Sequence, residues 1–194
     1  MFTEQVQLPR EERREQTDGR ILEAAAVRFA ADGYRAATIR AIAAQAGVSV
    51  GRVMAVGDKE TLLAAVYDRR IAAVHRSRAD RPSDPDQSAP QRISELVAPF
   101  VELFADDQAL ARDYAAVLAR GTVDSEIFGD LARTLLGEFE QVLAQAGAPD
   151  PAAGARALYF GYLGLLLSAA GVGGDLAQVQ PQLAEITTTL LRKD

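Results

Sequence analysis

The 194-residue chain has no cysteine, no tryptophan and a single histidine, His75. Without cysteine, disulfides, thiol catalysis and thiolate metal sites are excluded, and the composition fits a reducing compartment. One histidine leaves no ligand set for a metal and would tie any Ser–His–Asp triad to His75. G-x-S-x-G, P-loop and strand-linked dinucleotide patterns are missing as well. The chain is therefore expected not to be an enzyme and to hold no catalytic residue, metal or cofactor. Long apolar runs are also lacking. The most apolar stretch, 157–172, is interrupted by Gly161, Gly164, Ser168 and Gly171. It falls short of the roughly 18–20 apolar residues of a membrane span, so a buried helix is expected and no membrane partner. The first residues are polar and charged, without the apolar core of a secretory leader; a cytoplasmic location is expected.

What the chain does have is charge, unevenly placed. Its net charge is −6, but residues 1–80 balance to +2 and the remainder to −8. A mildly basic head on an acidic body suits a protein that brings one end to DNA. No segment carries a persuasive β pattern, so the fold is expected to be all-α. The expected organisation is a flexible arm over 1–16, a helix-turn-helix domain over 17–57, a connecting fourth helix over 58–78, a loop or linker over 79–91 rich in proline, aspartate and serine, and a helical body over 92–194. The arm holds Arg10, Arg13 and Arg14 among Glu11, Glu12 and Glu15, and reads as a solvated tail. In the body, helices are expected at about 91–105, 107–120, 123–146, 151–171 and 181–192. Pro99 should kink the first of these, and Asp150-Pro151 and Pro181 should start the last two.

The stretch 38–59, TIRAIAAQAGVSVGRVMAVGDK, is the most informative. Before it, a helix starting near Thr17–Asp18 carries Ile21, Ala25 and Phe29 at i, i+4, i+8. Thr38 should cap a second helix that buries Ile39, Ile42, Ala43 and Ala46. Gly47 ends that helix where positive φ is easiest. Ser49 should cap a third helix over 50–56, and Asp58 a fourth carrying Leu62, Leu63, Val66 and Ile71. Two short helices across a tight turn form a helix-turn-helix, which places its second helix in the DNA major groove. Val53 and Val56 should face inward, leaving Val50, Gly51, Arg52, Met54 and Ala55 toward DNA. Arg52 alone can bond guanine O6 and N7 bidentately. Thr38, Arg40 and Lys59 are placed for phosphate, with Ser49 at the third helix's N-terminus; the other reading of Lys59 is pairing with Asp58 or Glu60 in water.

Residues 21–63 resemble the N-terminal domain of TetR-family transcriptional regulators. The resemblance rests on Phe29, Gly33-Tyr34, Thr38-Ile39, Ile42-Ala43, Ala46-Gly47-Val48-Ser49, Gly51 and Lys59 through Leu62. It implies about nine helices, a homodimer whose two heads bind half-sites one turn apart on a palindromic double-stranded operator, and a C-terminal domain for ligand binding and dimerisation. The expected function is a ligand-responsive repressor released from its operator by a small hydrophobic molecule. The chain departs from the family pattern at Met54 through Gly57, where aromatic residues are usual, and is one residue short before Lys59. That departure sustains an alternative: a dimeric ligand-binding or protein-interaction module whose head has lost specific DNA binding.

In the body, Gly154, Ala157, Gly161, Gly164 and Ser168 recur at helical spacing beside Leu158 and Leu165, and Leu183, Ile186 and Leu190 recur in the last helix. Together they read as a two-fold, four-helix interface. Phe100, Phe104, Tyr114, Phe128, Tyr159 and Tyr162 are candidate walls of an apolar ligand pocket. Arg112, Arg120 and Arg133 could anchor an acidic ligand, although surface arginines are commoner. His75 reads as a surface or helix-end residue, the alternative being a pH or ligand sensor.

Overall fold

The computed structural model describes residues 9–78, 86–125, 129–171 and 174–192. Among them are nine α-helices, one short 3-10 turn and no strand, so the all-α expectation holds. Two compact units divide inside α4, at Met1–Val66 and Tyr67–Asp194.

The first unit contains α1 (Arg10–Asp32), α2 (Ile39–Ala46), α3 (Val50–Met54) and the first turns of α4 (Lys59–Arg78). Ile21, Ala24, Ala25 and Phe29 of α1 are buried, as are Ile42, Ala43 and Ala46 of α2, Val53 of α3, and Leu62 and Leu63 of α4. The arm expected over 1–16 is corrected: α1 already runs from Arg10, with Pro9 as its N-cap. Residues 10–16 are strong helix formers, and Arg14 approaches Asp18 at 3.9 Å one turn on. Thr17, read as a cap, lies inside the helix and donates its hydroxyl to the Arg13 carbonyl at 2.7 Å. Residues 1–8 lie outside the described residues.

The second unit contains the remainder of α4, α5 (Ala89–Asp106), α6 (Gln108–Arg120), α7 (Asp130–Gln145), α8 (Pro151–Gly171), a 3-10 turn (Leu176–Gln178) and α9 (Val179–Leu190). Helix α8 packs on α6, α7 and α9, and α5 packs on α7 and α9. By length and composition α8 could cross a membrane; here Leu158, Tyr159, Tyr162, Leu163, Leu166 and Ala170 are buried inside the unit. Three boundaries differ from expectation. Helix α5 starts before the expected end of the 79–91 linker, because Ser88 and Gln91 form a capping box; residues 79–85 lie outside the described residues. Helix α7 starts at Asp130 rather than near 123, after Gly121 has closed α6 in a left-handed conformation. Pro181 is the third residue of α9, within its first turn rather than at its first position. Pro99 lies inside α5, which runs through it as one helix.

Candidate nucleic-acid interface and ligand cavity

The turn between α2 and α3 is built from local hydrogen bonds. Thr38 Oγ1 accepts from Ala41 N at 3.1 Å and Ser49 Oγ accepts from Arg52 N at 3.2 Å. Gly47 takes φ 66°, ψ 38°. Its N–H donates to the Ala44 carbonyl at 3.2 Å, and that of Val48 to the Ala43 carbonyl at 3.0 Å. This double closure needs a left-handed residue at 47, where a side chain would be strained. Val53 is fully buried, whereas Val50 is 45% exposed and Met54 51% exposed. Gly51 and Ala55 are exposed beside them. A Cβ at position 51 would meet nothing nearer than Ser49 Oγ at 4.0 Å, so the space above this glycine is open. The outer face of α3 is thus apolar, small and unobstructed.

Helix α3 stops two residues earlier than expected, at Met54, with Val56 only half-buried. Gly57 explains the tight exit. Its N–H donates to the Val53 carbonyl at 3.1 Å, and a Cβ there would lie 2.5 Å from Thr61 Cγ2. Thr61 is itself fixed: Asp58 Oδ1, the cap of α4, accepts from both its N–H at 2.8 Å and its hydroxyl at 2.9 Å. These bonds hold the Asp58 carboxyl below its usual range.

The two cations nearest this face do not stand free. The Arg52 guanidinium donates to Asp18 of α1, which also faces Arg14. The ammonium of Lys59 reaches back over the α1–α2 connection. It donates to the carbonyls of Tyr34 at 3.1 Å, Arg35 at 3.2 Å and Ala37 at 3.3 Å, and lies 4.6 Å from the Tyr34 ring centre. All three of its N–H donors are thereby engaged with backbone carbonyls of the protein. Thr38 and Arg40 are exposed at the start of α2, and Arg40 has no partner among the described residues.

The pattern of bacterial regulatory proteins of the tetR family matches residues 21–66, the span that builds this turn. A solved TetR transcriptional regulator from Streptomyces avermitilis is similar over 90% of this chain and 97% of its own, at 27% identity and a TM-score of 0.60. Residues 21–66 thus carry the N-terminal pattern of the TetR family. A Rhodococcus TetR regulator shares the fold at 18% identity, with a TM-score of 0.64 over 94% of this chain and 97% of its own. A structure described as the molecular basis for control of antibiotic production by bacterial hormones matches at 25% identity and a TM-score of 0.59, over 92% of this chain and 98% of its own. No curated protein sequence matches the chain. The matched head and these similar structures support a DNA-binding transcriptional regulator.

The second unit holds an apolar cavity. Phe100, Phe104, Tyr159 and Tyr162 all line it, together with Ile71 and His75 of α4 and Leu135 of α7. Its free volume is about 20 Å³, room for roughly one water; a larger guest requires these side chains to move. Burial pushes the Tyr159 hydroxyl up to about 12 and raises that of Tyr162, so both remain neutral. Tyr114 is not in the cavity wall. It stacks on Tyr67 at 4.2 Å, and its hydroxyl lies 3.2 Å from Ser125 Oγ. Phe128 lies outside the described residues. His75 lies in the last turn of α4, as the helix-end reading expected, but is half-buried, 4.8 Å from the Phe100 ring, and its pKa is lowered by burial and then by Arg78, with Glu138 opposing.

The small-residue face of α8 divides. Ala157, Gly164 and Ser168 are exposed, while Gly161 and Leu165 are half-buried beside the half-buried Ile186 and Leu190 of α9. Gly154, Leu158 and Leu183 are corrected. Both leucines have no exposed surface, and a Cβ at 154 would lie 2.8 Å from Leu143 Cδ1 of α7. They belong to the core of the subunit because α7 and α5 occupy that side. The sequence reading missed Phe160, which is 65% exposed on the open face; its large apolar side chain at i+3 from Ala157 was the available signal.

Proposed function

We propose that this protein is a homodimeric repressor that sets α3 into the major groove of a palindromic operator and releases it when a small hydrophobic effector enters the aromatic cavity. The observation that carries the reading is the open face of α3. Val50, Met54 and Ala55 suit thymine methyls, and Gly51 lets the backbone approach. Arg52 is the one guanidinium for guanine, and Thr38 and Arg40 flank phosphate. Ser49 keeps α3 in register. The effector reading is supported by Ile71 and His75, which lie in the cavity wall on the same helix whose first residue, Lys59, braces the head. A similar structure described as the molecular basis for control of antibiotic production by a bacterial hormone supports it too. An effector acts only through different affinities for the operator-competent and released states. The dimer reading is supported by Ala157, Phe160, Gly161, Gly164, Leu165 and Ser168, whose small and apolar surface suits a second copy packed α8 and α9 against α8 and α9.

The test is selection of bound fragments from a genomic library by the purified protein, followed by mobility shifts with and without extracts of apolar metabolites. Enrichment of a palindrome that the extract then releases supports the proposal. A second reading is favoured by Arg52 and Lys59 being engaged within the protein: a ligand-binding module with an inactive head. Failure to enrich any sequence, with effector binding intact, would select that reading.

A further inference from the structure

Asp18 continues the buried row of α1 by one turn. That row runs through Ile21, Ala25 and Phe29, and Asp18 precedes Ile21 by one helical step of three. Its side chain is half-buried. A carboxylate at such a place costs desolvation unless cations meet it, and two do. The Arg52 guanidinium of α3 donates from Nη2 to Asp18 Oδ1, and Arg14 Nε lies 3.9 Å from Asp18 Oδ2. The two cations differ. Arg14 is exposed and one turn away on the same helix, whereas Arg52 is half-buried and belongs to the helix that carries the open apolar face.

The contact leaves most of the Arg52 guanidinium open. Arginine has five N–H donors in a rigid plane, and the bond to Asp18 takes one of the two on Nη2. Nε and Nη1 have no acceptor among the described residues, and neither atom is buried. Whichever Nη2 hydrogen Asp18 takes, one edge with two donors stays whole, either Nη1 with Nη2 or Nε with Nη2. Guanine O6 and N7 require such an edge. Lys59 differs, since all three of its donors meet carbonyls. Asp18 therefore restrains Arg52 without closing it. Ordering a rotamer-rich side chain at the moment of binding opposes association. A guanidinium with no carboxylate beside it also pairs with any phosphate, which adds affinity but no sequence information. A carboxylate behind Arg52 acts against both effects.

We propose that Asp18 is a positioning residue of the DNA interface: it holds Arg52 with one two-donor edge for guanine and neutralises it toward phosphate, so that sequence preference rises and sequence-independent affinity falls. The inference rests on the reading of α3 as the helix that meets DNA.

Selection from a pool of randomised DNA duplexes tests it, with the full chain as wild type, Asp18→Asn and Arg52→Ala. Fluorescence anisotropy on the enriched duplex and on a shuffled one then gives affinities. In the wild type one guanine in each half-site should depend on Arg52, with a preference of about ten-fold over other bases. Asp18→Asn should reduce that preference by about three-fold or more while binding the shuffled duplex more tightly. A merely structural pair would instead weaken both duplexes alike and leave the preference intact. Asp18→Ala, which favours the helix, decides where circular dichroism shows that Asp18→Asn has not folded. A folded variant that keeps the full preference at that guanine would overturn the proposal alone. A wild-type protein with no Arg52-dependent guanine would overturn the reading of α3 and the proposal with it.

Discussion

Replacing Lys59 by methionine should destabilise the head without removing a phosphate contact. The ammonium bridges three carbonyls, of Tyr34, Arg35 and Ala37, at 3.1–3.3 Å, and lies over the Tyr34 ring. A hydrogen bond to a charged group contributes about 1.5–3 kcal/mol, but these three share one ammonium and the Arg35 carbonyl is on an exposed residue. Roughly 2–3 kcal/mol for the set is therefore the reasonable sum, with the methionine keeping most of the aliphatic contact. In a chain of this size that lowers Tm by about 4–12 °C. Thermal unfolding followed by circular dichroism measures it. The slope of log affinity against log salt for a DNA duplex separates the two roles. A lost phosphate contact flattens that slope by about 0.9, whereas a brace leaves it unchanged at temperatures where the variant is folded. A Lys59→Met protein of wild-type stability with a flattened slope would refute the reasoning.

Asp18→Asn should leave stability within about 1 kcal/mol, because the pair with Arg52 is partly exposed, but should raise affinity for a duplex of arbitrary sequence and steepen its salt slope by about 0.9 as Arg52 is released; fluorescence anisotropy reads both. His75 is neutral by burial, so its folded pKa lies below the unfolded value near 6.5. Below that pH the unfolded chain takes up the proton first, so stability is complete above it and falls as the pH drops through the lowered value. Urea unfolding of His75→Gln should show this acid-side slope reduced. Phe160→Ser should shift the assembly toward monomer in light scattering at micromolar concentration, with unchanged circular dichroism.

The frame of the helix-turn-helix was legible because it is local. Thr38, Gly47, Ser49 and Asp58 each act within four residues of their own position, and the apolar spacing of Ile42, Ala43, Ala46 and Val53 is a helical period. The start of α1 was missed for a related reason: Thr17 and Asp18 are good caps, and nothing nearby says that the charged residues before them continue the helix. The cations escaped the sequence because their partners are distant in it. Lys59 finds carbonyls 22 to 25 residues back and Arg52 finds a carboxylate 34 residues back. In the body, four aromatic residues read as pocket walls do share one cavity, but composition could not tell them from Tyr114, which stacks on Tyr67 instead. Helical spacing placed the small residues of α8 in one row. It could not say that α7 covers the row at Gly154 and leaves it open at Gly164.

The central claim, that α3 reads DNA through an apolar face and one guanidinium, is tested most directly by comparing wild-type protein with Arg52→Ala in the genomic fragment selection. The account predicts a palindrome with half-sites about one helical turn apart for the wild type, and loss of preference at a single guanine in each half-site for the variant. A wild-type protein that enriches no sequence, or an Arg52→Ala variant that enriches the same palindrome with every position intact, would contradict it.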